Sequence, residues 1–184
     1  MDIKTLCSNK WISLKEIQSP QHGIMGYVYS HETRCNGHIV SFLPYRKVEK
    51  TFTITTEFLV RCETTPCWEM IPIMSSFTGG IDKGDSPTDC VIKELKEEAG
   101  IIITDEKVIS LGLSYGAKSS DSTYHLFAVD VTNCAVGELT FESELEKTSY
   151  NKWITESLFC QTAFMDPFVY VLKARLDNYN KVKE

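Results

Sequence analysis

Glu94, Glu97 and Glu98 stand in the run PTDCVIKELKEEAG, where spacings of three and four residues bring side chains onto one arc of a helix. Val91, Ile92, Leu95 and Ala99 gather on a different arc, so such a helix buries an apolar stripe while turning carboxylates toward a cavity or toward solvent. Like charges at these spacings oppose one another by about a few tenths of a kcal/mol per pair when exposed, and by more when water is withdrawn. A hard divalent cation removes that penalty. Magnesium takes oxygen ligands and commonly bridges carboxylates to substrate phosphates. A solvated helix with a charged outer face satisfies the same pattern, so the helix alone leaves both readings open. Ahead of it, GGIDKGDSPTD supplies glycines and turn-forming acids, which allow a loop to approach a ligand closely or simply to turn.

The elements that must position these residues are readable from periodicity and punctuation. Ser86 is the expected N-cap of the acidic helix, Pro87 lies in its first turn and Gly100 marks its exit. Between Gly26 and Val60 the stretches GYVYS, HIVSFL and TFTITTEFLV are rich in β-branched and aromatic residues, with Asn-Gly or charged breaks between them, and predict three strands. VISLGLSYG and TYHLFAVDV predict two more. In MDPFVYVLKARLDNYNKV, Asp166 is an N-cap candidate and Pro167 a first helical residue, which predicts a closing helix over 166–181. Strands and helices interleaved in this way indicate α/β or α+β layering. Repeats and Gly/Ser/Pro-rich linkers are absent, so residues 1–184 read as a single domain, with 1–60 as an N-terminal strand region and the segment to about Pro20 peripheral.

Composition narrows the function. Hydrophobic residues make up 42% and charged residues 24% of the 184, the balance of a globular chain with one core. Nineteen Lys and Arg against twenty-five Asp and Glu give a net charge of -6, which argues against a broad basic footprint for duplex nucleic acid. No apolar run is long enough to span a bilayer, so no membrane partner is expected. The seven cysteines are odd in number and irregular in spacing, which suits reduced thiols and a cytoplasmic location. His31, Cys35 and His38 in HETRCNGH, and Cys62 and Cys67 in CETTPC, lack the second ligand pair of a structural zinc site and read as loop chemistry.

The run from Gly79 to Ile101, GGIDKGDSPTDCVIKELKEEAGI, resembles the Nudix box, GX5EX7REUXEEXGU with U aliphatic. Gly79 matches the first glycine; Glu94, Leu95, Glu97 and Glu98 match the core; Gly100 and Ile101 match the end. Asp85 stands in place of the first glutamate and Lys93 in place of the arginine. Both keep their charge sign, but Asp is one methylene shorter and Lys lacks the fork of Arg. The resemblance implies an α/β/α sandwich with a mixed sheet and additional N-terminal strands. It also implies hydrolysis of a nucleoside diphosphate linked to another moiety, giving a nucleoside monophosphate and a phosphorylated product. Mg2+, with Mn2+ as a possible substitute, is the implied cofactor, held by Glu94, Glu97 and Glu98 with a backbone carbonyl at Gly79. Lys93 is the implied supporting residue that orients the box glutamates.

The flanking segments SYGAKSSDSTYHLFAVDV, FESELEK and MDPFVYVLKARL resemble the branch acting on ADP-ribose and nucleoside-diphosphate sugars. That branch implies a further catalytic glutamate after the box, with Glu142 and Glu144 as candidates and Glu146 and Asp121 as weaker ones. It also implies a homodimer through N-terminal elements and, loosely, substrate contacts at Arg61 and Glu57. A strand-end ion pair is the plainer reading of those two. Trp11, Trp68, Phe77 and Tyr124 have faces on which a base could stack, although core packing accounts for most such residues. His125 reads as a satisfied strand histidine. Nucleoside triphosphates, dinucleotides, or a catalytically weakened binding module are the alternatives.

Overall fold

Strand-forming runs separated by short turns build two sheets. In the computed structural model, which describes residues 1–64, 72–140 and 146–183, β1 (Asp2–Ser8), β2 (Ile12–Ser19) and β3 (Ile24–Glu32) form an antiparallel sheet in that order. A turn follows in which Asn36 and Gly37 both take positive φ, the backbone form that the Asn-Gly pair tolerates best. The chain then enters β4 (His38–Lys50) and β5 (Thr53–Thr64), continues through β6 (Pro72–Ser75) and β7 (Phe77–Gly80), and forms helix α1 (Pro87–Ala99). After α1 come β8 (Ile101–Ile102), β9 (Val108–Tyr115), β10 (Thr123–Asp130), β11 (Ala135–Val136), β12 (Tyr150–Thr155), α2 (Glu156–Gln161) and α3 (Pro167–Lys183).

The central sheet has the order β12-β5-β4-β10-β9, with β6 added to β5 and β7 to β4. Its pairs are antiparallel except for β4 and β10, which run parallel, so the sheet is mixed. Period-two alternation sorts its residues onto two faces. Val40, Phe42, Leu59, Phe127 and Val129 share one buried cluster with Val91 and Leu95 of α1. Leu43, Phe58, Val60, Leu126 and Ala128 share the other with Phe159 of α2 and Val169, Leu172 and Leu176 of α3. Helices therefore cover both faces, as the α/β/α expectation requires.

The 1–60 strand region divides between the two sheets: β1–β3 stand apart, whereas β4 and β5 form the centre of the main one. β1 and β2, in the segment expected to be peripheral, pair along almost their whole length. The closing helix runs from Pro167 to Lys183, and Asp166 Oδ1 accepts from Phe168 N at 2.8 Å. The other oxygen of Asp166 accepts from Ser76 N (2.8 Å) and Ser76 Oγ (2.6 Å), and Ser76 Oγ is 3.0 Å from Ser41 Oγ inside the sheet. No helix of the described residues is long and apolar enough to cross a membrane.

Helix α1 is fixed at both ends. Ser86 Oγ accepts from Asp89 N while Asp89 Oδ2 accepts from Ser86 N, both at 3.1 Å, forming a capping box. Gly100 adopts φ 67 and donates its N–H back to the carbonyls of Leu95 and Lys96. Leu95→Ala is expected to destabilise the fold by about 2–5 kcal/mol in urea unfolding, because the side chain is fully buried. Ser86→Ala is expected to cost about 1 kcal/mol. The reverse ranking would mean that α1 is held by its cap rather than by its apolar stripe.

Candidate active site

The acidic helix face is built against a glycine strand. Phe77 packs on α1 with Val91 and Leu95, and alternation turns Gly79, two residues on, toward the same helix. A Cβ built on Gly79 would overlap the Glu94 carboxylate. Gly79 and Gly80 thus differ from the loop glycines expected from sequence: they lie in β7 and have ordinary strand conformation. Glycine is needed at 79 for the close approach of Glu94, and the turn residue with positive φ is Gly84.

One turn further on, Glu98 meets β5 and β12. Its Oε1 lies 3.3 Å from Arg61 Nε, with the arginine side chain 3% exposed and the glutamate 14%. The backbone carbonyl of Glu98 accepts from Asn151 Nδ2 at 2.7 Å and from Arg61 Nη1 at 3.5 Å. Thr140 N donates to the neighbouring carbonyl of Glu97 at 3.0 Å. With Gly100 serving Leu95 and Lys96, the carbonyls from Leu95 to Glu98 all have donors, and the turn carrying Glu97 and Glu98 is held by its surroundings. Arg61 and Asn151 face each other directly in the β5–β12 register. Arg61 Nη2 is buried without a hydrogen-bond partner among the described residues.

Glu97 takes a different direction, lining a hollow with Asp89, Lys93, Lys96 and Thr140. Lys93 is at the surface, its Nζ 3.3 Å from Asp82 Oδ2 in the preceding loop. Asp85, at the position of the box glutamate, is exposed beside Asp82 and Lys83. Glu142 and Glu144 lie outside the described residues, as do the Glu146 side chain and Trp68. The donors that remain are carboxylate oxygens, the ligand type taken by hard divalent cations, and the missing side chain at Gly79 gives Glu94 its room over the sheet. Glu94 and Glu98 fit such a cation in ligand type and in their placement one turn apart. Among the described residues no group of three His, Cys, Asp or Glu side chains already converges as a ligand set.

Glu57 and Arg61 lie on the same face of β5, on either side of Leu59, but Glu57 is engaged elsewhere: its Oε2 accepts from Arg46 Nη2 at 2.8 Å. The Arg46 guanidinium stacks 4.0 Å from the centroid of the Trp153 ring. Arg46 and Trp153 border a cavity of about 580 Å³ that reaches Leu59, Ala99, Ile101 and Asn151, immediately beyond the end of α1. Beneath the helix, Cys90 is pushed up to about 12 by burial and by the nearby Glu94 carboxylate, so its thiol stays neutral.

The remaining candidates have structural partners. His125 Nε2 is 3.2 Å from His38 Nδ1, and burial, followed by the charge of His38, lowers its pKa. His31 Nδ1 pairs with Asp121 Oδ2 at 2.9 Å, while Cys35 is buried. Phe77 is core, Tyr124 stacks on Phe168, and Trp11 is exposed between Lys10 and Arg34. Sequence reading missed Asn151. The available signal was its alternation with Trp153 in SYNKWI, but its reach to the Glu98 carbonyl depends on a pairing that spans 53 positions.

The NUDIX domain family matches residues 32–171, from the end of β3 into α3. Among solved structures, an ADP compounds hydrolase superposes with a TM-score of 0.72 at 14% identity, covering 100% of this chain and 94% of that one. A mutT/nudix family protein from Listeria innocua gives a TM-score of 0.52 at 12% identity, covering 80% of this chain and 94% of that one. Comparison with curated proteins by sequence gives no match. With the box glutamates seated on a mixed sheet between helical layers and the family match spanning most of the chain, this protein belongs to the NUDIX domain family and has the fold of a Nudix hydrolase.

Proposed function

We propose that the chain hydrolyses a nucleoside diphosphate linked to another moiety, of the ADP-ribose or nucleoside-diphosphate-sugar type, in a Mg2+-dependent reaction. The observation that carries this reading is the seating of Glu94 on Gly79 and of Glu98 against Arg61, inside the box that the family match contains. When bound there, a divalent cation neutralises the diphosphate and promotes attack by water. Glu94 and Glu98 supply oxygens for it, Glu97 and the Gly79 carbonyl are further candidates, and Lys93 holds the preceding loop through Asp82. A glutamate at 142 or 144 takes the proton of the attacking water. The new P–O bond forms as the bridging P–O bond breaks, and the two phosphorylated fragments separate.

The substrate class rests on shape. The ADP compounds hydrolase aligns along the entire chain, N-terminal strands included, which favours an ADP-containing diphosphate over a nucleoside triphosphate or a dinucleotide. The cavity beyond Glu98, with the Arg46–Trp153 stack on its wall, offers volume for part of such a ligand. The departures at Asp85 and Lys93 favour a second reading, a weakened nucleotide-binding module. Incubation with ADP-ribose and Mg2+, with products identified by mass, separates the two: AMP and ribose phosphate are expected, and tight binding without turnover would leave the module.

We also infer a homodimer through the N-terminal sheet. Ile3, Ile12, Leu14, Met25, Tyr27 and Val28 are each more than 40% exposed there, apolar side chains that a second copy of the sheet would cover. Among the described residues β1 also presents an unpaired edge. Light scattering is expected to give twice the chain mass of 20.9 kDa, and the combined substitution Ile12→Lys and Met25→Lys is expected to give the monomer. A wild-type monomer at micromolar concentration would refute this interface.

Glu98→Gln and Glu94→Gln are each expected to lower kcat by about 100-fold or more while unfolding at near wild-type temperature. Gly79→Ala is expected to displace the Glu94 carboxylate and cost about 100-fold in activity, since misplacement by about 1 Å has that effect. Parental rates in Glu98→Gln would remove Glu98 from the catalytic set.

A further inference from the structure

We propose that Arg61 and Asn151, cross-strand partners on β5 and β12, form a positioning pair that holds Glu98, so that the central sheet orients the metal-binding carboxylate from outside the box. The inference rests on Glu98 being a metal ligand. Its basis is that both residues converge on Glu98. Asn151 Nδ2 fixes the backbone carbonyl at 2.7 Å, Arg61 Nη1 reaches the same carbonyl at 3.5 Å, and Arg61 Nε faces the carboxylate at 3.3 Å. Main chain and side chain of one glutamate are thereby gripped together.

Burial distinguishes this pair from an ordinary surface contact. Arg61 is 3% exposed, so its attraction to Glu98 is little screened, unlike that of an exposed pair. The arginine approaches the C-terminal turn of α1, where the helix dipole favours a cation. The planar fork lets Nε and Nη1 serve side chain and carbonyl at once, which a lysine ammonium does not. Lys93, at the surface beside Asp82, has neither the fork nor the burial for this task. Nη2 has no hydrogen-bond partner among the described residues, while Nε and Nη1 are directed at Glu98. Family resemblance offers Arg61 as a substrate contact; the role proposed for it acts through Glu98 instead.

The test measures Mn2+ binding to the metal-stripped protein by electron paramagnetic resonance, without substrate, alongside thermal unfolding. Loss of a residue that orients a metal ligand typically weakens metal binding by about 10–100-fold. Arg61→Gln is expected to raise the Mn2+ Kd within that range, Arg61→Lys to recover part of the loss, and Asn151→Ala to raise the Kd by a smaller factor. Asn151→Ala leaves the buried charges paired and decides alone if Arg61→Gln does not fold. Unchanged Mn2+ affinity in the folded variants overturns the proposal. Tighter binding also overturns it, making Arg61 a competitor for the carboxylate. A raised substrate KM at saturating Mg2+ with unaltered Mn2+ affinity would make Arg61 a substrate contact instead. Glu98→Gln is the control: if it binds Mn2+ like the wild type, the metal-ligand reading of Glu98 fails, whereas weak binding in Glu98→Gln with normal binding in both pair variants defeats the positioning pair alone.

Discussion

A helix rich in carboxylates has to lie flat on an apolar sheet, and the site depends on how these demands are reconciled. Val91 and Leu95 are fully buried against Val40, Phe42 and Phe77, which fixes the rotation of α1 about its axis. Once that rotation is set, helical geometry places Glu94 and Glu98 along the margin of the contact and Glu97 farther round. Both marginal carboxylates then come close to the sheet, where water is scarce and like charges repel more strongly. The sheet answers locally, with an absent side chain beneath Glu94 and a buried guanidinium beside Glu98.

Those two answers differ in kind. Glycine at 79 removes a steric obstacle, because any side chain there would overlap the Glu94 carboxylate. Arginine at 61 meets the charge directly, and Asn151 adds a neutral donor to the helix end, so Glu98 has its orientation before a ligand arrives. One answer is steric and the other electrostatic, and each acts on a carboxylate one helical turn from the other.

The sequence made α1 legible almost to the residue, because Ser86, Pro87 and Gly100 are local signals read by the backbone next to them. The five strands predicted from β-branched and aromatic runs are present for the same reason. The first two strands escaped because their apolar residues are interrupted by charge and remain exposed, so period-two burial never developed. The three glutamates could be placed on one arc from spacing alone, but not divided between the Gly79 side and the hollow of Lys96, since that depends on which neighbour each flank meets. Arg61 was visible as a charge at the end of an apolar strand. Its destination, 37 residues along the chain, was not, and neither was Asn151, whose partner is set by strand register.

Asp166 gives the fold a mechanical link that crosses the sheet. One carboxylate oxygen caps the closing helix and the other grips Ser76, three residues before Gly79, while Ser76 also touches Ser41 on the central strand. Asp166 thereby joins the start of α3, on one face of the sheet, to the segment that leads into the strand on which Glu94 rests. The N-terminus of the closing helix and the lead-in to the glycine strand therefore share one carboxylate, so a substitution at Asp166 removes a contact from both.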